Sequence, residues 1–243
     1  MKFIIVSLLV VIVSMFFSSG IHELGHMIAG ILQGWKFEYM IFGPLKIYKI
    51  DERIKVGFEK NMMMWGGVSY CTPKEKSEKN IKVYRNILLA GPLLSIFLGI
   101  LALLYVLCTM SIDVMFTTII NNTFKLFLFV FGLQSIAMGI ISIIPLPIPT
   151  GLLYVDGYRF YRLLKYDKEE VAIFLLVEKE MFKEDITSFE EIAVLTESKS
   201  LNIRYMGYDC AIDLYKKKGD IEKEEYYKNL KEEIKTKVSP LLR

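Results

Sequence analysis

The stretch FIIVSLLVVIVSMFFSSGIHELGHMIAGIL, residues 3–32, decides the fold. Its only ionisable side chains are His22, Glu23 and His26, and the chain has no other histidine. About 30 Å of hydrocarbon is crossed by roughly 20 helical residues, so the stretch predicts a membrane-spanning helix with three costly polar groups inside it. On a helix, H-E-x-x-H puts two imidazoles at i and i+4 on one face with the glutamate beside them. That is the arrangement of two zinc ligands and a general base. The plain alternative is a pair of satisfied core histidines, which would desolvate a glutamate and two imidazoles without return.

Working outward, the 243 residues are 53% hydrophobic with a mean hydropathy of +0.38, too oily for an ordinary soluble domain. Two further spans are expected, giving three at about residues 3–33, 87–112 and 125–144. The first could instead be a secretory signal, with Lys2, an apolar core and Ser18, Ser19 and Gly20 before a cleavage point. Against this, apolar character resumes directly after the motif and two more spans follow. The connection from Trp35 to Asn86 holds 11 Lys and Arg against 6 Asp and Glu, whereas that from Asp113 to Phe124 holds no Lys or Arg. By the positive-inside rule the N-terminus is outside and the C-terminus cytoplasmic. Cys71, Cys108 and Cys210 are scattered without a C-x-x-C spacing, so neither a disulfide framework nor a cysteine metal site is indicated.

The expected fold is mainly α: a polytopic membrane protein with a three-transmembrane-helix core, a small membrane-associated β-hairpin or sheet, and a C-terminal helical cytoplasmic region. Residues 1–165 would form the core and 166–243 the soluble tail. Within the β-rich insertion at 35–70, Leu45 to Ile50 and Arg53 to Phe58 read as a hairpin around Asp51-Glu52, with Gly43-Pro44 and Gly66-Gly67 at its ends. It is either a surface decoration or an edge onto which an unwound strand could add. Thr72 to Arg85 reads as a short loop and helix leading into the second span. There Ala90-Gly91-Pro92, Ser95 and Gly99 form a small-residue face expected to pack on the first helix. The third span ends in Pro145-Leu146-Pro147-Ile148-Pro149, which cannot continue a helix and is forced into an extended run. Non-helical backbone at membrane depth lines protein or a cavity. Tyr158 to Lys165, with Arg159 and Arg162 among aromatics, reads as an interfacial helix whose basic ends reach headgroups. The tail carries 18 acids and 14 bases, and its residues 202–218 and 221–237 read as two helices joined at Gly219-Asp220.

A catalytic zinc has three protein ligands and an open position. With two histidines in the chain, the third ligand has to be a carboxylate. Asp156 is the candidate, being the only carboxylate between Lys125 and the tail; its plain reading is an N-cap for the Tyr158 helix.

With these residues laid out, residues 1–160 resemble the site-2 protease family of intramembrane zinc metalloproteases. The resemblance rests on His22-Glu23-Leu24-Gly25-His26, Phe42-Gly43-Pro44, Gly66-Gly67-Val68, Ala90-Gly91-Pro92, and Pro145-Leu146-Pro147 followed by Asp156-Gly157. It implies that His22, His26 and Asp156 bind Zn2+, that Glu23 activates water, and that Pro145, Pro147 and Ser142 lie along the substrate. Ser142 and Ser95 stand where the family commonly has asparagine, eight residues separate Pro147 from Asp156, and Val155 replaces leucine. No segment is large enough for the PDZ domain of some members, which implies substrates already shortened by another protease. The implied activity is endopeptidase cleavage within transmembrane segments or remnant signal peptides. The expected partners are such membrane substrates and lipid, with no nucleic acid, in a bacterial cell membrane. The rival is a non-catalytic zinc-binding membrane protein acting through its tail.

Overall fold

The computed structural model describes residues 2–109, 122–147, 149–150 and 153–242. Most of the expected external loop, including Asp113 and Asn121, lies outside the described residues, as do Ile148 and Gly151. The chain divides into two compact units, Met1–Glu75 with Lys82–Ile144, and Lys76–Ile81 with Pro145–Arg243.

The first unit is built on three helices, α1 (Lys2–Leu32), α2 (Lys79–Cys108, its first residues grouped with the second unit) and α3 (Thr123–Ile143). Each is long and apolar enough to cross a membrane. Their outward faces show the sequence logic of a helix in lipid: Ile4, Leu8, Phe17, Phe97 and Leu104 are exposed, while Ser14, Ser18, Ser95 and Ser135 are buried. Ser14 donates to Gln134 at 2.7 Å and Ser135 to Ser18 at 2.8 Å. Small residues let helices approach and their hydroxyls bond across the gap, which is how helices associate where lipid removes the hydrophobic driving force.

The small-residue face of α2 divides between two neighbours. Gly25 of α1 comes so close to α2 that a Cβ there would lie 2.6 Å from the Ala90 carbonyl oxygen, whereas Gly99 meets Gly132 and Ile136 of α3. The expectation that the whole face packs on α1 therefore holds for its first part only. Helix geometry explains this, since residues 91 and 99 differ by about 80° around an axis of 3.6 residues per turn.

Four antiparallel strands follow α1: β1 (Lys36–Phe42), β2 (Leu45–Ile50), β3 (Arg53–Phe58) and β4 (Val68–Thr72). Their order is β3-β2-β1-β4. The expected hairpin is β2–β3, in register from Leu45 opposite Phe58 to Ile50 opposite Arg53. Its two-residue turn holds Asp51 and Glu52 at φ of 48° and 62°, the left-handed pair that matches the twist of a tight hairpin. The sheet extends beyond the hairpin because β1 also pairs with β4, Lys36 opposite Thr72. Of the short loop and helix expected over 72–85, the loop is present at 73–78, and the helical part is the start of α2 itself, which begins at Lys79.

In the second unit, the proline run passes into a two-stranded β5 (Pro149–Thr150) and β6 (Leu153–Tyr154), then α4 (Asp156–Leu164), α5 (Lys168–Met181), α6 (Ala193–Thr196), α7 (Leu201–Lys218) and α8 (Ile221–Lys235). The joint between α7 and α8 works as the sequence implies: Gly219 takes φ of 71° to end one helix, and Asp220 accepts from the Lys223 N–H to start the next. Ala172, Ile173, Leu195 and Ile203 form one core cluster, and Ile192, Ala211, Leu214 and Tyr215 another.

Of the three basic residues expected to reach headgroups, Lys165 is exposed, but Arg159 and Arg162 are engaged by acids of the same unit. Arg159 is buried and pairs with Glu170 at 2.7 Å, and Arg162 pairs with Asp167 and Glu169. The partner acids lie at the start of α5, where a helix N-terminus favours negative charge.

Candidate active site

His22, Glu23 and His26 all fall in α1 and all are buried, at 7%, 7% and 8% exposure. Carrying three such groups into an apolar bundle requires partners. His26 Nδ1 donates to the Ile87 carbonyl at 2.7 Å, and His22 Nδ1 pairs with Ser95 Oγ at 3.2 Å. Both oxygens come from α2. Near Ile87 that helix contains Pro92, which has no N–H for the Leu88 carbonyl and loosens the ladder. A neutral imidazole protonated on Nδ1 carries its lone pair on Nε2, the form a metal ligand needs. His26 is fixed in this form by its carbonyl partner, and His22 takes it when Ser95 Oγ accepts from Nδ1; the two rings, 4.9 Å apart edge to face, then present a chemistry that suits zinc.

The close approach of helices is what makes these bonds possible. Leu24-Gly25 sits between the histidines, and the missing side chain at Gly25 lets α2 touch the backbone of α1. Gly91 is the counterpart: a Cβ there would lie 2.3 Å from His26 Nε2 and 2.5 Å from its Cε1. Gly91→Ala should therefore push the whole ring aside. The expected result is at least a tenfold loss of zinc affinity with about 1–3 kcal/mol of overpacking strain, read by chelator competition and thermal denaturation.

Glu23 lies against the loop that leads into the sheet. Ser19, one turn earlier, donates to the Gly66 carbonyl at 3.1 Å. Gly67 follows at φ of 114°, and a Cβ on it would lie 2.5 Å from Glu23 Oε1. Only glycine fits, both for its backbone angle and for the carboxylate beside it. The strand leaving this point is β4, an edge of the sheet.

Of the other predicted site residues, Ser142 is half-buried in the last turn of α3, and Pro145 and Pro147 are exposed. Asp156 is the first residue of α4, and it belongs to the second unit while the motif belongs to the first. The N-cap of α4 is Val155 and makes no side-chain cap, so Asp156 does not occupy the capping position. Cys71 offers no rival chemistry: burial, helped by the Glu38 charge, pushes its thiol up to about 11, too high for a nucleophile at neutral pH.

Residues 10–120 match peptidase family M50. The match contains the H-E-L-G-H helix, the sheet and the Ala90-Gly91-Pro92 entry to α2, so the elements that support Glu23 and both imidazoles lie inside it. No curated protein and no solved structure matches. Family M50, that of the site-2 proteases, implies a metalloprotease that acts on membrane proteins.

Ser95 and Gly67 carry roles that sequence reading did not assign. Ser95 is fully buried, and its hydroxyl is the side-chain partner of His22. If His22 holds a metal, Ser95→Ala should weaken zinc binding about 10–100-fold, the usual cost of losing a hydrogen bond that supports a ligand. Isothermal titration of the zinc-free protein measures it, and an unchanged constant would refute the role.

Proposed function

We propose that this protein is an intramembrane zinc endopeptidase that cleaves transmembrane segments or remnant signal peptides, with His22, His26 and Asp156 as ligands and Glu23 as general base. The observation that carries the reading is that both imidazoles are bonded through Nδ1 while Glu23 lies buried beside them, against Gly67 at the head of an edge strand. Two imidazoles and one carboxylate make a donor set that could hold a metal ion, and three protein ligands with an open position are the composition of a catalytic zinc site.

When bound, zinc brings the pKa of a water near 7 and polarises a carbonyl. The chain's residues do the rest. Glu23 takes the proton of the attacking water on a carboxylate oxygen and delivers it to the leaving amine. The bare backbone of Gly67 leaves that carboxylate its space. A peptide bond inside a helix has its carbonyl engaged, so the substrate must unwind; an extended strand can pair with β4, which runs away from Glu23, and Pro145 and Pro147 with Ser142 are the further proposed contacts. The orientation proposed is N-terminus outside and C-terminus cytoplasmic, with residues 1–165 as the proteolytic core, 166–243 as the tail, and a bacterial cell membrane as its location.

The reading is tested by comparing the membrane proteome of cells making the parent protein with that of cells making Glu23→Gln. Accumulation of uncut membrane stubs in the variant is expected; identical proteomes would sink it. A structural zinc has no use for a base, so the same comparison separates the enzyme from a metal-binding scaffold.

A further inference from the structure

We infer that the C-terminal tail is the scaffold that orients Asp156, through a buried clamp of Arg159 and Arg162 on Glu170. This rests on the proposed role of Asp156 as a ligand. Asp156 opens α4, a helix of nine residues, so it lies one turn from Arg159 and two from Arg162. Residues on both sides of it are tied to the tail. Tyr154 packs against the cluster of Ala172, Ile173, Leu195 and Ile203, and its ring meets that of Tyr158 edge to face at 4.9 Å. Arg159 Nε reaches Glu170 Oε1 at 2.7 Å, and Arg162 Nη1 is 3.8 Å from Glu170 Oε2 while its Nη2 holds Asp167 and Glu169.

The burial of this arrangement is the argument for a positioning role. Glu170 is 1% exposed and Arg159 8%. A buried ion pair returns little net stability, and well-packed apolar residues of similar volume serve a core as well or better. What the pair supplies is direction: planar guanidinium groups and a carboxylate meet in few geometries. The hydrogen bond of Arg159 to Glu170, with Arg162 one turn on held by Asp167 and Glu169, fixes both the roll of α4 and its position along its axis. With the helix rolled differently, the Asp156 carboxylate would point elsewhere. Ligand-bearing residues need such support, because a donor misplaced by about 1 Å loses its function.

The test uses the full chain and reads zinc affinity by chelator competition, alongside the thermal transition of the helices. The double variant Arg159→Met with Glu170→Leu fills the same space without the directed hydrogen bonds. Arg159→Lys keeps the charge and gives up the planar fork. Both are expected to bind zinc about 10–100-fold more weakly with the thermal transition at its parent position. Parent-like zinc affinity in both, where Asp156→Ala has lost it, would overturn the clamp and leave the ligand reading standing. Parent-like affinity in Asp156→Ala itself would overturn the ligand reading, and the clamp with it.

Discussion

Glu23→Gln should lower the rate of peptide-bond cleavage by about 10²–10⁴-fold while zinc remains bound, since a positioned base contributes that much and glutamine keeps the shape without the charge. Glu23 is 7% exposed, so bulk water is poorly placed to substitute for it. An amide of the same size still fits beside Gly67. The measurement is single-turnover cleavage of a transmembrane peptide in vesicles, with zinc content determined on the same preparation. Cleavage within a factor of two of the parent would remove Glu23 from the chemistry.

Removing a ligand should act differently. His22→Ala, His26→Ala and Asp156→Ala are each expected to lose zinc and all cleavage together, because metal affinity depends on the complete donor set. Elemental analysis after dialysis against a chelator reads the metal directly. His26→Ala has a second consequence, since it also removes the donor to the Ile87 carbonyl and leaves a cavity against Gly91. Its thermal transition should fall, while that of Asp156→Ala should not. A variant that keeps stoichiometric zinc takes its residue out of the ligand set.

The contrast between these variants shows what the sequence disclosed. The H-E-L-G-H helix, the three apolar helices, the β2–β3 hairpin and the α7–α8 pair follow from local pattern: absence of charge, alternation around a two-residue turn, and a glycine-aspartate joint. The strands β1 and β4 do not. KFEYMIF and VSYCT become a pair only across a separation of up to 36 residues, Lys36 against Thr72, and no periodicity reports such a partner. Ser95 is a similar case, since its value lies in meeting His22 across 73 positions. Arg159 and Arg162 misled for a different reason. Basic residues among aromatics look like headgroup anchors, but Asp167, Glu169 and Glu170 a few positions later were the available sign of a helix-to-helix clamp.

The length of α1 bears on how such an enzyme would meet its surroundings. Its 31 residues extend about 46 Å at 1.5 Å each, well beyond the roughly 30 Å of oil it crosses. A rod too long for its slab leans or protrudes, and the choice shifts with acyl-chain length. His22 to His26 occupy the last third of that rod, so a fatter bilayer would draw the hydrolytic turn away from the aqueous phase that must hydrate it, and a leaner one would release it. On the proposed function, lipid composition would throttle turnover without an effector molecule.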